Sequence, residues 1–445
     1  MMLNQKRFIY AFLLLGGISA TAMAQKVEFT EYDLPNGLHV VLHQDNAAPV
    51  VAVSVMYHVG SKNELTNRTG FAHFFEHLLF EGSENIKRGE FMKIVSSNGG
   101  QNNANTTQDR TFYYEVFPSN QLKLGLWLES ERMFHPVINE VGVKTQNEVV
   151  KEEKRLRIDN QPYGHFAEEI FKRLFTKHPY TWQTIGSMDD LDAAKLDEFK
   201  AFFSKYYVPN NAVLSIAGDI DVAKTKEMVS AYFAAVPKGE PINYKKIIEE
   251  PITKPMVDTA YDANIQLPAI MAAYRIPGLM DKDATTLEMI SSILSGGASS
   301  KLYRKMVDEK KNALQVGAIN YVLEDYGAYI TYALPNGETP LNTLLADIDD
   351  EVTKLQTELI TEEEYKKIQN QFESNYVTAN SRMLGVAENL ANGYTFYNKN
   401  TGHVNEELDE IRKITREDIR TVAKKYLQPN SRLVLYYLPK PVAAQ

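Results

Sequence analysis

Two histidines four residues apart, His73 and His77, with Glu76 between them, are the side chains of this sequence best arranged for chemistry. On a helix of about 3.6 residues per turn the two imidazoles stack on one face, where their nitrogens can reach a single ion. Glu76 follows His73 by three positions and shares that face, so its carboxylate can hold a water on a metal without itself being a ligand. Zinc bound by two histidines needs a third protein ligand and an open position, where water ionises near neutral pH and becomes a nucleophile. Phe74, Phe75, Leu78, Leu79 and Phe80 surround the polar trio with apolar groups, and polar groups in such surroundings need partners. The third ligand is expected from the run Gln146-Asn147-Glu148-Val149-Val150-Lys151-Glu152-Glu153. Two acids compete there. Glu152 and Glu153 are not separable by spacing, because adjacent helical positions differ by about 100° and the helix phase is unknown.

The elements that must position these groups mix strand and helix periods. Leu38 to Leu42 follows the turn Pro35-Asn36-Gly37, and Val51, Val53, Val55, Tyr57 and Val59 alternate, so both segments read as strands. Helical spacing covers 70–80, 121–134, 140–157 and 195–207, with strand-like 110–116 and 212–217 among them. Residues 237–254 lapse into Pro, Gly and charge and are expected to link two domains. Strand patterns at 265–274 and near Gln315 and Tyr329, a helix over 284–294 and the capping box Thr361-Glu362-Glu363-Glu364 follow. The class is α+β. Tyr206-Tyr207-Val208-Pro209-Asn210 recurs 220 residues later as Tyr426-Leu427-Gln428-Pro429-Asn430, each copy leading into an apolar run, which predicts two homologous domains, 28–236 and 255–440.

Composition narrows the function classes. Lys6 and Arg7, the apolar run 8–15 and Ala22-Met23-Ala24 predict a secretory signal over 1–24, and hence an exported, periplasmic protein. Later segments are too short and too polar to span a membrane. There are no cysteines, so thiol chemistry and disulfides are excluded. Removing the signal leaves 46 basic residues against 57 acidic ones, a net charge of −11, which excludes a nucleic-acid partner. Only 9 histidines in 445 residues exclude metal storage. His58, His135, His165 and His178 are isolated in aromatic or charged segments and are expected to be structural. Tyr113, Tyr114, Trp127, Phe199, Phe202, Phe203, Tyr206 and Tyr207 fall at core spacing.

His73-Phe74-Phe75-Glu76-His77 is the inverted zincin signature, and its neighbours extend the match. Gly99-Gly100-Gln101-Asn102-Asn103-Ala104-Asn105-Thr106, Asp109, Thr111, Val149 to Glu153, Asp159 to Gly164, His178-Pro179-Tyr180, Thr184-Ile185-Gly186 and Pro209 to Ala212 together resemble the pitrilysin or insulinase family, in its half-length branch with the mitochondrial processing peptidase. The resemblance implies two α/β-sandwich domains, each a mostly antiparallel sheet packed with helices. It implies a zinc endopeptidase with one zinc per chain, held by His73, His77 and Glu153, with Glu76 as general base. Glu152 then looks to lie just behind the ligands, as does Gln146, which stands where the family has a glutamate. Asn103, Ala104 and Asn105 would belong to an edge strand on which an extended peptide substrate is laid as an added strand.

The second half departs from the family. Where peptide-cleaving members carry an arginine and a tyrosine seven apart, this chain has Val307 and Leu314, neither of which donates a hydrogen bond. Two domains are also half of what the family's working chamber needs. The resemblance therefore implies a dimer, and the missing pair implies a heterodimer with a second half-length relative that supplies the arginine and tyrosine. The competing reading is a scaffold or peptide-binding subunit.

Overall fold

The computed structural model describes residues 26–441, so the expected signal lies outside the described residues. Six strands form the first sheet: β1 (Thr30–Asp33), β2 (His39–Gln44), β3 (Val50–Tyr57), β4 (Gln101–Thr106), β5 (Thr111–Pro118) and β6 (Ala212–Gly218), in the order β1-β2-β6-β3-β5-β4. Five form the second: β7 (Met256–Asp262), β8 (Ala269–Pro277), β9 (Ala313–Val322), β10 (Tyr326–Pro335) and β11 (Arg432–Pro439), in the order β7-β11-β8-β10-β9. If β1 is set aside, both sheets run first, last, second, fourth, third. In each, only the pairing of first and last strand is parallel. This is the duplication that the Pro-Asn repeat predicts. Pro209–Asn211 and Pro429–Ser431 form matching single turns between a helix and the last strand of each sheet.

Central strands read as unbroken apolar runs because both faces of each sheet are covered. All seven residues of β6 are buried. On the inner face of the first sheet, Val53, Val55 and Leu214 pack with Phe74, Leu126, Phe199 and Val229 from four of its own helices. The outer face is covered from the other half: Val41, Ala52, Met56, Val213 and Ala217 meet Val386, Ala387, Leu390 and Ala391 of the helix Met383–Phe396. The exchange is reciprocal. Met271, Ala273, Leu433 and Leu435 of the second sheet are covered by Ile170, Phe171 and Leu174 of the helix Phe166–Leu174.

Residues 237–255 hold no helix or strand. They are nonetheless fastened to the first half, since Glu249 accepts the backbone N–H groups of Thr176, Lys177 and His178 at 2.8, 2.7 and 2.7 Å. The segment is a strap over packed surface rather than a free tether. Thr361 caps its helix with Glu364 as the sequence predicts. Of the aromatics expected in the core, Tyr113, Phe199, Tyr206 and Tyr207 are buried, while Tyr114, Trp127, Phe202 and Phe203 pack partly buried at its margin.

Candidate metal centre

The helix Phe71–Leu78 buries one side and presents the other. Phe71 stacks on Phe199 with ring centroids 4.5 Å apart, and Phe75 lies 5.2 Å from Tyr207, so the aromatic face fixes which way the remaining residues point. Tyr113 donates its hydroxyl to Phe75 O at 2.8 Å, which ties the helix to β5.

Both helix ends are held. Gly70 precedes it with φ 89°, a left-handed conformation, and a Cβ there would meet Ile185 O at 2.7 Å, so the Gly70 and Gly186 backbones meet as only glycines allow. Gly70 has no side chain to cap the helix. Glu64 does so instead, accepting Gly70 N and Ala72 N at 2.8 Å each. Burial holds the Glu64 carboxyl well above its usual range, and these two donors offset that rise only in part. At the other end Arg132 donates to Leu79 O at 3.0 Å. Its guanidinium is fully buried between Glu115 and Glu129, 3.1 Å from each, and lies over the rings of Phe80, Phe91 and Tyr113.

Glu153 arrives on the helix Glu140–Lys154, which Asn139 opens by accepting Gly142 N at 2.9 Å. One donor atom from each of His73, His77 and Glu153 lies within 4.8 Å of the others. Glu153 Oε2 is 3.0 Å from His77 Nε2 and 3.6 Å from His73 Nε2. This buried oxygen has no hydrogen bond of acceptable geometry. An unsatisfied carboxylate oxygen facing two imidazole nitrogens is a donor set that a zinc ion would satisfy. The His77 imidazole beside it draws the Glu153 carboxyl below its usual range, and burial, then the neighbouring His77, lowers His73 to about 4. The set is therefore an ionised carboxylate beside a neutral imidazole, the protonation state that metal binding requires.

Glu76 sits half-buried beside the trio. Burial raises its carboxyl above the usual range, against a hydrogen bond from Thr106, whose Oγ1 donates to Oε2 at 2.7 Å. Thr106 is the last residue of β4, the edge strand of the first sheet. On β4, Asn103 and Asn105 are exposed and Ala104 is buried. Its far side pairs with no strand among the described residues, so a row of backbone N–H and C=O groups is free for an extended peptide. Arg110 donates to Asn105 Oδ1 at 2.7 Å and pairs with Glu388 on the helix that crosses from the second half.

Two expected neighbours of the site lie elsewhere. Glu152 is turned to solvent and pairs with Arg155 at 2.7 Å, because one helical step carries it away from Glu153. Gln146 reaches Glu81 rather than a ligand. Arg157, one turn beyond Glu153, is the group that touches its other oxygen, at 2.5 Å. Sequence reasoning missed Thr106, Glu64 and Arg132 as supports. Thr106 stood inside the Asn-rich motif, and a polar residue ending a strand next to a helix of titratable groups was the available signal. Val307 is half-buried in the wide turn Tyr303–Glu309, and Leu314 in β9 is exposed. Each of the four isolated histidines has an acidic partner: His58 with Glu324, His135 with Glu84, His165 with Glu168 and His178 with Asp325. Among the described residues no helix is long and apolar enough to cross a membrane.

A two-sheet α+β fold with this convergence of histidines and glutamates defines a metallopeptidase architecture, and comparison with known proteins agrees. Residues 39–186 match the family described as Insulinase (Peptidase family M16), and residues 193–372 match the Peptidase M16 inactive domain. The zinc protease PqqE of Helicobacter pylori is 32% identical over 369 residues, covering 81% of this chain and 82% of that protein. The crystal structure of a protease from Helicobacter pylori superposes with a TM-score of 0.87 at 29% identity, over 93% of this chain and 100% of that one. The periplasmic protease PqqL from Escherichia coli shares the fold, with a TM-score of 0.75 at 18% identity, over 93% of this chain but 48% of its own. The chain belongs to the insulinase family, peptidase family M16.

Proposed function

We propose that this chain is a zinc endopeptidase that cleaves short or unfolded peptides in a chamber completed by a second subunit. The observation that carries the proposal is the convergence of His73, His77 and Glu153 with Glu76 held beside them by Thr106. His73, His77 and Glu153 would hold the ion. Zinc, when bound, supplies a Lewis acid that makes water nucleophilic at neutral pH and polarises a carbonyl. The chain's own residues do the rest. β4 pairs with the extended substrate through its free edge and brings the scissile bond to the site. Glu76, raised by burial, takes the proton of the attacking water and gives it to the leaving amine.

A membership of half length supports a dimeric chamber, since the chain matches 48% of the PqqL polypeptide. The partner is a half-length relative carrying the arginine and tyrosine that Val307 and Leu314 replace. A secretory leader over 1–24, as Lys6, Arg7 and the apolar run 8–15 suggest, would place this action in the periplasm. The second reading, a scaffold or peptide-binding subunit, is favoured by Val307 and Leu314 alone. Peptide turnover by the purified chain, with and without the partner and with a chelator, tests both. Chelator-sensitive turnover with the partner supports the peptidase; zinc binding without turnover in either state supports the scaffold.

A further inference from the structure

The helix that carries both histidines is eight residues long. Isolated helices shorter than about 12 residues are marginal, so this one depends on outside contacts to hold His73 and His77 in register with Glu153 on a different helix. Its ends are met by two buried polar side chains, the Glu64 carboxyl and the Arg132 guanidinium. Glu64 accepts Gly70 N and Ala72 N, the latter one residue before His73, and Arg132 donates to the carbonyl of Leu79, two residues after His77. Both satisfy backbone groups that would otherwise lack partners, and the guanidinium at the C-terminal end also opposes the helix dipole's partial charge. Neither group touches the trio, and the proton-transfer chemistry uses neither.

We infer that Glu64 and Arg132 are positioning residues that set the metal affinity of the site by fixing the two ends of the His73–His77 helix. The inference rests on the reading of His73, His77 and Glu153 as metal ligands. Zinc sites tolerate only about ±0.2 Å in ligand distance, so a small slip or unwinding at either end moves an imidazole out of range. Both groups are held too tightly to adapt. Glu64 is 6% exposed, and Arg132 is closed in by two carboxylates and three rings. Glu64→Gln keeps the shape but turns an amide N–H toward one of the two backbone donors. Arg132→Lys keeps the charge but gives up the fork that reaches Leu79 O while holding both acids.

The test is zinc affinity of the full chain by competition with a chromophoric chelator, together with the visible spectrum of the cobalt-substituted protein. Leu390→Ala, in the remote crossing helix, serves as a variant destabilised without involvement of the site. Glu64→Gln and Arg132→Lys are expected to keep the native circular dichroism, to weaken zinc binding about tenfold or more and to shift the cobalt bands, while Leu390→Ala leaves both unchanged. Wild-type affinity in both variants, a loss no greater than that of Leu390→Ala at equal loss of Tm, or failure of both to fold would overturn the inference. Failure of the underlying reading is distinct: wild-type protein would take up no zinc, or His73→Ala would retain it.

Discussion

Thr106 Oγ1 donates to Glu76 Oε2 at 2.7 Å, so the last residue of the edge strand proposed to receive substrate also holds the proposed general base. One element then does two jobs. Substrate pairing along β4 and the orientation of Glu76 are set by the same backbone. Thr106→Val is expected to lower kcat about tenfold or more with little change in KM, because an unheld carboxylate misplaces a proton acceptor without altering backbone pairing. Thr106→Ser should restore most of the rate. Steady-state kinetics on a short fluorogenic peptide checks this, and an effect confined to KM would refute it.

That hydrogen bond illustrates what the sequence could and could not convey. The helix over 70–80 was legible because apolar and polar residues alternate with its period, and the structure trims it only to Phe71–Leu78. The duplication was legible from Pro209 and Pro429, since proline fixes its turn wherever it stands. Glu152 and Glu153 were not separable, because the phase of their helix depends on what it packs against. Val150 turns inward, and that turns Glu153 toward His77 and Glu152 to solvent. Thr106 with Glu76, and the crossing helices, join residues 30 and several hundred positions apart, which no local pattern encodes.

Substitutions at the site should separate binding from turnover. Glu153→Ala removes the carboxylate facing both imidazoles and is expected to abolish zinc uptake. Glu152→Ala, which removes only a solvent-facing partner of Arg155, should change neither zinc content nor rate. Glu76→Gln should keep zinc and lose at least about a hundredfold in kcat. Metal analysis beside peptide kinetics on the three proteins distinguishes these outcomes. Normal turnover by Glu76→Gln would exclude it as the base.

The tip between β9 and β10 inserts Glu324 and Asp325 against Lys62, His58 and His178 of the first half, with Asp109 3.0 Å from Lys62 and accepting Glu324 N at 2.9 Å. Burial alone would raise Glu324 and Asp325, yet His58 and Lys62 hold the first, and His178 and Lys62 the second, below the usual range. A folded value below the unfolded one means that the unfolded chain binds more protons. The stabilisation is therefore complete above the unfolded carboxyl values near about 4 and is lost as pH falls through the lower folded values. Tm should drop steeply between about pH 5 and 3. Glu324→Gln should flatten that drop. Lys62→Met, which strands several carboxylates, should cost about 3 kcal/mol at neutral pH by urea unfolding.

Because each sheet borrows a helix from the other half, neither half should fold alone. Cutting the chain within the strap would leave Val41, Ala52, Met56, Phe112 and Val213 uncovered on the outer face of the first sheet. Residues 26–236 expressed alone are expected to aggregate or to bind a hydrophobic dye, and co-expression with the remainder should rescue them. Leu390→Ala in the intact chain opens a cavity in that same face and should cost about 2–5 kcal/mol. A soluble, monomeric first half with native near-ultraviolet dichroism would contradict the exchange.

The second half carries valine at position 307 and leucine at position 314. A developing oxyanion held by a metal alone, without a positioned donor, loses about a hundredfold in rate or more. Val307 and Leu314 supply no such donor, so the chain by itself should turn over peptides slowly even with zinc bound. Leu314 is 53% exposed on β9, so a tyrosine there meets no packing barrier, and half-buried Val307 lies in a wide turn that ends before β9 begins. If two copies can close a chamber, Val307→Arg with Leu314→Tyr should raise kcat/KM about a hundredfold over the unaltered chain, and Glu76→Gln should abolish the gain. If the natural partner is instead required, the double variant should gain nothing alone, and adding a half-length relative that carries both residues should raise the rate of the unaltered chain. Comparing these mixtures at equal zinc content, with mass measured by light scattering, decides between a self-paired chamber and a hetero-oligomeric one.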